Sequence, residues 1–251
     1  MALCEVRFYS ESLRKHEAMN VILPDKPSGR LPVLYLLHGL SDDHTRWCRQ
    51  TSIERYATGR RMIVVMPDTH RLFYVNDPRP CGFAYEDHIV RDVVGFVDRT
   101  FPTIHGRHGR AVAGLSMGGY GALMLALRNP GRFATAVSHS GALMFAHDTA
   151  FMRDGEEYRD VAHLAESLPG REYDLWKLAE RHAHSGRKLA LRLDCGTEDR
   201  ILEHSRAFHD HLDALGIEHE YAEHPGGHEW SYWDEHVVDT LRFVTKHTRS
   251  R

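Results

Sequence analysis

Apolar and polar positions alternate along this chain in two different ways. Near the amino end, apolar residues occupy every second position in CEVRF and again in MNVIL, with SESLRK between the two runs. A period of two is typical of strands that bury one face, so these runs predict two antiparallel strands at a sheet edge. From residue 32 the runs become continuously apolar, as in PVLYLLHG, which favours strands buried on both faces of a parallel sheet.

Strands and helices alternate through the rest of the sequence. The segment from Tyr85 to Phe101 places Ile89, Val93 and Val97 on one helical face. Further strands are predicted in RMIVVMP, RAVAGLS, FATAVSHSG, KLALRLDCG and EHEYAEHPG, and further helices in TSIERYATG, after residue 116, at 201–215 and at 230–246. This alternation predicts a single α/β domain over residues 1–251, with a mostly parallel sheet of about eight strands and helices on both faces. Ligands in such folds bind at the carboxyl ends of the strands.

One stretch interrupts the alternation. Residues 141–187 contain two short helical patterns, AHLAESL and YDLWKLAERH, and no strand pattern. Long connections in compact domains tend to be functional. We therefore expect an insertion that covers the carboxyl edge of the sheet as a lid or pocket wall.

Composition and charge limit the binding partners and the cellular location that the sequence predicts. The formal net charge is -3 and the charges are spread along the chain, so no basic tract would follow a nucleic acid or an anionic membrane. The first 20 residues lack the apolar core of a signal peptide and no later stretch could span a membrane, which predicts a cytoplasmic protein. The sequence does not decide between a monomer and a homo-oligomer.

Cysteines and histidines raise the question of a disulfide or metal framework. The four cysteines show no CxxC spacing, so in a reducing compartment they are interpreted as small buried apolar residues. They are Cys4, Cys48, Cys81 and Cys195. The 20 histidines include the pairs His182/His184 and His209/His211, but neighbours two apart point to different faces of a helix. We interpret most histidines as surface residues and expect no metal site.

A nucleophile motif stands at the end of a buried strand. Residues 114–118, GLSMG, match G-x-S-x-G, with the strand RAVAGLS before the motif and a helix of small residues after it. In α/β-hydrolases this context forms a sharp turn that exposes the serine at a helix N-terminus. The pattern predicts Ser116 as a nucleophile. A plain Gly-rich turn is the alternative, and the flanking strand and helix disfavour it.

A serine hydroxyl needs a base to remove its proton, and in this fold the acid and the histidine follow the serine in that order. Asp199 comes just after the strand in LRLDCGTEDRI, and His228 comes after the last strand in AEHPGGHEW. The order therefore predicts His228 as general base and Asp199 as the residue that orients the histidine.

Three other residues compete for these two roles. Asp194 lies within its strand and is interpreted as a structural carboxylate, whereas Glu198 is adjacent to Asp199 and would point elsewhere. His224 stands at the end of the last strand, and only His228 follows the two glycines that would let a loop turn back.

An oxyanion hole needs two N–H donors, one from the residue after the nucleophile and one from the loop after an early strand. Met117 supplies the first donor, and the HGL sequence at 38–40 places Leu40 as the second. His38 is interpreted as a residue that shapes this loop, not as a base.

Aromatic residues near the strand tips are candidates for the substrate pocket, and Trp230, two residues after His228, is the strongest of them. For each one taken singly, ordinary core packing is an equal alternative. The candidates are Trp47, Tyr85 and Trp230, together with Phe83 and Trp233.

The motifs together resemble the esterase D group of α/β-hydrolases, closest to the bacterial tributyrin-esterase type. The resemblance rests on PVLYLLHGLSDDHTRW, IVVMPDTH, GLSMGGYGALMLAL, SHSGAL, CGTED and GGHEWSYW, and covers nearly the whole chain. It implies short-chain acyl esters as substrates, no cofactor, a triad of Ser116, Asp199 and His228, and an oxyanion hole at Leu40 and Met117. S-formylglutathione hydrolases of the group carry GHSMGGHGA, from which this chain departs at two positions.

We therefore expect a serine carboxylesterase that hydrolyses short-chain acyl esters through an acyl-enzyme. The alternatives with the same triad are an S-formylglutathione hydrolase and an acetyl or feruloyl carbohydrate esterase. An acyltransferase, and a hydrolase fold that serves only as a binding module, are more distant alternatives.

Overall fold

Both predicted kinds of strand occur in the structure. It is a computed structural model that describes residues 1–80, 82–148, 156–168 and 172–248. The strands are β1 (Ala2–Ser10), β2 (Lys15–Leu23), β3 (Val33–Leu37), β4 (Ile63–Pro67), β5 (Arg110–Leu115), β6 (Thr135–His139), β7 (Ala190–Gly196) and β8 (Glu220–His224). They form an eight-stranded sheet in the order β1-β2-β4-β3-β5-β6-β7-β8.

The sheet is parallel except at one edge. From β4 to β8 all neighbouring strands run parallel, whereas β1 pairs antiparallel with β2 and β2 pairs antiparallel with β4. This confirms the prediction of two antiparallel strands beside a parallel sheet. Only β1 is the edge strand, because β2 lies between β1 and β4 and is buried on both faces from residue 17 to residue 22. The order also places β5, the strand that leads to Ser116, near the middle of the sheet.

Helices cover both faces. Those within the described residues include α1 (Arg46–Gln50), α2 (Ile53–Ala57), α3 (Tyr85–Asp87), α4 (Val94–Thr100), α5 (Met117–Arg128), α6 (Ala162–Ser167), α7 (Leu175–Ala183), α8 (Leu202–Ala214) and α9 (Trp230–His247). Strand β3 shows why its sequence is continuously apolar. Val33, Tyr35 and Leu37 belong to the buried cluster that includes residues of α4, α5, α7 and α8, whereas Leu34 and Leu36 belong to the cluster that includes residues of α1, α2 and α9. All five side chains are fully buried.

The helix predicted at 85–101 is present, but it is not regular. A π-helical segment, His88–Val93, joins α3 to α4. His88 lies fully buried in this segment, and its Nδ1 is 2.9 Å from the Ser10 hydroxyl oxygen at the end of β1. Periodicity of apolar residues does not report such a local widening of the helix.

The predicted insertion contains α6 and α7 and has no strand among its described residues. Residues 149–155 and 169–171 of this segment lie outside the described ranges. Asp160, just before α6, accepts hydrogen bonds of 2.8 and 3.1 Å from Arg71, and Arg71 also donates to the Ser41 hydroxyl. These contacts tie the insertion to the loop that holds Leu40.

Cys195 is buried in β7, whereas Cys4 and Cys48 are half-buried, and Cys81 lies outside the described residues. Within the part of the chain that the structure describes, no helix is both long and apolar enough to cross a membrane.

Candidate active site

Ser116 stands on a sharp turn between β5 and α5. Its backbone angles are φ 53° and ψ -116°, a conformation that costs a non-glycine residue about 1–3 kcal/mol. Hydrogen bonds on both sides hold the turn: the Ser116 N–H donates to His139 O at 2.9 Å, and Ser116 O accepts from the Ala142 N–H at 3.0 Å. A Cβ on Gly118 would lie 2.5 Å from His38 O, so only glycine lets α5 approach β3 this closely.

The structure brings together the three side chains that the sequence singled out. Ser116 Oγ is 3.0 Å from His228 Nε2, and His228 Nδ1 is 3.0 and 2.9 Å from the two carboxylate oxygens of Asp199. Gly226, at φ 130°, turns the loop between β8 and α9 so that His228 faces the serine. A carboxylate can only accept here, so His228 carries its proton on Nδ1 and presents the Nε2 lone pair to the Ser116 hydroxyl.

Electrostatics keep Asp199 ionised. Burial raises the pKa of its carboxyl, but hydrogen bonds from His228, the Ile201 N–H and the Ser140 hydroxyl outweigh burial, and the pKa lies below its usual value. An ionised carboxylate beside Nδ1 stabilises the imidazolium that forms when His228 accepts a proton.

The three rival residues have other partners. Asp194 is fully buried in β7, and one of its carboxylate oxygens lies 2.7 Å from His139 Nδ1 and accepts from the Tyr232 hydroxyl at 3.2 Å. Glu198 is exposed and accepts a hydrogen bond from the Gly226 N–H. His224 is the last residue of β8, as predicted, and its ring stacks on that of His236 with centroids 4.2 Å apart.

The residues predicted to supply the two oxyanion donors lie in segments that adjoin Ser116. Met117 is the first residue of α5, so its N–H has no acceptor within the helix. Leu40 follows Gly39, where a Cβ would lie 3.8 Å from the Ser116 Cβ. The loop after β3 and the start of α5 therefore both lie next to Ser116, and the two N–H donors stay a prediction.

His38 shapes the loop that carries Leu40, as the sequence predicts. Its ring is buried, Nδ1 donates to Gly39 O at 2.8 Å, and Nε2 accepts from the Thr69 N–H at 3.1 Å. Burial lowers the pKa of His38, so the ring stays neutral and both hydrogen bonds persist at neutral pH.

The predicted pocket aromatics divide into two groups. Tyr85 is 2% exposed and packs against Phe83 and His88 near the β1 edge, so core packing, the alternative raised from the sequence, describes it. Trp47 is also buried, and its indole N–H donates to Leu37 O at 3.0 Å. Trp230 is half-buried, with its ring edge-on to Trp47 at a centroid distance of 5.3 Å, and remains the pocket candidate.

Ser140 and Trp233 support the site and were not assigned this role from the sequence. Ser140 follows β6, is fully buried, and adopts φ 44°. Its hydroxyl accepts from the Trp233 indole N–H at 3.3 Å and hydrogen-bonds the Asp199 carboxylate. Trp233 also lies edge-on to the His228 ring at 5.0 Å. The signal in the sequence was the polar SHSG at the end of a buried strand, at the edge where ligands bind.

Comparisons with known proteins agree with this geometry. A protein-family model described as "Putative esterase" matches residues 10–244. An acetyl esterase from Caldicellulosiruptor saccharolyticus is 27% identical over 98% of this chain and 99% of its own length. The structure of a fluorophosphonate-binding serine hydrolase from Staphylococcus aureus is 30% identical with a TM-score of 0.85, covering 97% of this chain and 98% of that one. An S-formylglutathione hydrolase from the same organism is 28% identical with a TM-score of 0.86 and the same coverage.

Proposed function

This chain belongs to the esterase family of carboxylic ester hydrolases, and from that premise we propose that Ser116, His228 and Asp199 form the catalytic triad of a serine esterase for short-chain acyl esters. The observation that carries the proposal is the unbroken hydrogen-bonded path from the Ser116 hydroxyl through His228 to the Asp199 carboxylate. Each member lies in the loop after a different strand, β5, β7 or β8, so the sheet itself sets their distances.

The first step acylates the serine. Ser116 Oγ attacks the ester carbonyl carbon while its proton moves to His228 Nε2, and the carbonyl oxygen becomes an oxyanion. The Leu40 and Met117 N–H groups donate to that oxyanion, and the positive end of the α5 dipole adds to the stabilisation. The C–O bond then breaks, and the alcohol leaves with the proton from His228.

The second step releases the acid. A water molecule loses its proton to His228 Nε2 and attacks the acyl-enzyme carbonyl carbon, again with the oxyanion held by the two N–H groups. The bond to Ser116 Oγ breaks, and the serine recovers its proton from His228. Asp199 remains ionised throughout and stabilises the imidazolium in both steps.

We expect a preference for short acyl groups. The acetyl esterase relative supports this preference. An acyl chain too long for its pocket displaces the ester carbonyl carbon from Ser116 Oγ, and a misplacement of about 1 Å can cost about 10²-fold in rate. With p-nitrophenyl esters, kcat/KM for acetate and butyrate should therefore exceed that for octanoate by at least about tenfold. A maximum at octanoate would contradict the proposed substrate class while leaving the triad intact.

Thioester hydrolysis is the second candidate, because one similar structure is named an S-formylglutathione hydrolase. The same triad can attack a thioester, so kinetics must separate the two functions. The measurement is kcat/KM on S-formylglutathione beside p-nitrophenyl acetate. A thioester value more than about tenfold higher would favour the alternative.

Removal of the Ser140 hydroxyl should lower kcat by about 10- to 100-fold with KM unchanged, because Asp199 loses a hydrogen bond that fixes its orientation toward His228. Ser140→Gly is the appropriate variant, since glycine accepts the positive φ of this position. The matched control is Ser138→Ala, two residues earlier in β6, where the buried hydroxyl has no partner in the described structure. Equal kcat in the Ser140 variant and the control would show that Ser140 does not position Asp199.

Three expectations from the sequence stay predictions. These are the cytoplasmic location, the absence of a nucleic-acid or membrane partner, and the choice between a monomer and a homo-oligomer. The partner that follows from membership of the family is a small-molecule ester substrate.

A further inference from the structure

Two histidines and an aspartate meet far from Ser116, between the second half of α8 and the start of β8. His209 and Asp213 lie four residues apart on one face of α8, and His219 immediately precedes β8. His209 Nδ1 is 2.7 Å from His219 Nε2. Carboxylate oxygens of Asp213 lie 3.7 Å from His209 Nε2 and 4.0 Å from His219 Nδ1. One ligand atom from each residue falls within 4.8 Å of the others.

The surroundings of these rings favour metal binding. His219 Nδ1 donates to Ile217 O at 2.8 Å, which leaves Nε2 as a lone pair. A histidine that binds a metal almost always has its second ring nitrogen fixed in this way. The His209 ring lies flat on Tyr221, with centroids 4.1 Å apart, so its plane is fixed as well. The nearby cation Arg206 is paired with Glu203 and Glu223, so its charge is compensated.

We propose that His209, His219 and Asp213 form a binding site for a divalent transition-metal ion, for which Zn²⁺ is the best fit. Two imidazole nitrogens and one carboxylate oxygen are ligands that zinc accepts, with a water molecule in the fourth position. Without metal, the two rings share one hydrogen bond. With metal, the His209 proton moves from Nδ1 to Nε2 through solvent and the rings separate slightly. Asp213 now faces the other nitrogen of each ring, so its side chain, which is 64% exposed, has to turn to place the carboxylate on the ion.

A second cluster of the same composition lacks the required geometry. The rings of His224 and His236 near Asp239 are stacked, with centroids 4.2 Å apart and planes 11° from parallel. Lone pairs in two parallel planes do not converge on one ion. The rings of His209 and His219 are inclined at 66°, and their nitrogens face each other.

The position of the site implies a stabilising role, independent of the proposed esterase chemistry. Helix α8 begins three residues after Asp199, and β8 ends four residues before His228. A metal ion would join the other ends of these two elements. We therefore expect Zn²⁺ to raise the melting temperature without any requirement for metal in ester hydrolysis. At a zinc concentration about 100 times the Kd, the rise should be roughly 5–10 °C.

The test is calorimetric titration of the EDTA-treated protein with ZnCl2, with melting temperatures measured in parallel. We expect His209→Ala to weaken zinc binding by more than about tenfold and to abolish the zinc-dependent rise in melting temperature. The matched control is His211→Ala, on the same helix but outside the cluster, which should bind zinc as tightly as the unmodified protein. Asp213→Asn gives a second variant at an exposed position, expected to weaken binding without affecting folding.

Two results would overturn the proposal. One is the absence of zinc binding by the unmodified protein, and the other is an equal affinity in the His209 and His211 variants. Additional weak zinc binding by other histidines would be common to both variants and would not alter the comparison. Esterase activity is measured separately, so a failure of this proposal is distinguishable from a failure of the proposed triad.

Discussion

Ser116→Ala is expected to lower the rate of p-nitrophenyl acetate and butyrate hydrolysis by about 10⁵- to 10⁶-fold. The variant keeps the backbone turn, the His228–Asp199 pair and the two oxyanion donors, but it lacks the oxygen that forms the acyl-enzyme. The residual rate should be that of direct water attack on the ester, assisted by the remaining groups. Such a rate is typically about 10³- to 10⁴-fold above the uncatalysed rate.

A fluorophosphonate probe provides the second readout for this variant. The unmodified protein should be labelled once, and Ser116→Ala should not be labelled. Ser185→Ala, at an exposed serine outside the site, should behave like the unmodified protein in both assays. Unchanged melting temperature would show that the loss of activity is chemical and not a consequence of unfolding. Hydrolysis or labelling retained by Ser116→Ala would reject the assignment of the nucleophile.

The second large effect is expected at Asp199. Asp199→Asn should lower kcat by about 10⁴-fold, because the amide can donate to Nδ1 and thereby favour the His228 tautomer with its proton on Nε2. That tautomer presents a proton to the Ser116 hydroxyl, not a lone pair, so it cannot act as the base. The amide also removes the charge that stabilises the imidazolium.

Glu198→Gln is the matched control for this substitution. Glu198 is the neighbouring carboxylate, but it is exposed and bonded to the Gly226 N–H instead of His228. Its kcat should stay within about threefold of the unmodified protein, as for a typical surface substitution. A loss at Glu198 as large as that at Asp199 would contradict the assignment of the acid. Melting temperatures of both variants identify any contribution from unfolding.

The sheet could be predicted because the apolar pattern of each strand depends on which of its faces are buried. The two edge strands alternate apolar and polar residues, and β3 is continuously apolar because Leu34 and Leu36 face one layer of helices while Tyr35 faces the other. The G-x-S-x-G turn identified Ser116. Chain order, the position of each residue relative to its strand and the two glycines before His228 then selected Asp199 and His228 over their neighbours. The structure places these three side chains within hydrogen-bond distance.

The parts that could not be predicted depend on contacts between distant segments. Ser140 meets Trp233 across 93 residues of sequence. Both residues lie in motifs of the sequence, SHSGAL and GGHEWSYW, but neither motif predicts this contact. Tyr85 was a pocket candidate because it lies near a strand tip, but the chain turns its ring into the core. The pairing of His209 with His219 depends on the loop after α8, whereas i,i+2 spacing in the sequence suggested only His209 with His211.

The loops after β3, β5, β6, β7 and β8 supply Leu40, Ser116, Ser140, Asp199 and His228, and these loops come from separate stretches of the chain. No partly folded intermediate that lacks one of these strands could hold the full constellation. Bringing segments this far apart in sequence into register is a slow, late event for a parallel sheet. The rate at which ester hydrolysis returns during refolding would therefore report the rate at which the whole sheet forms.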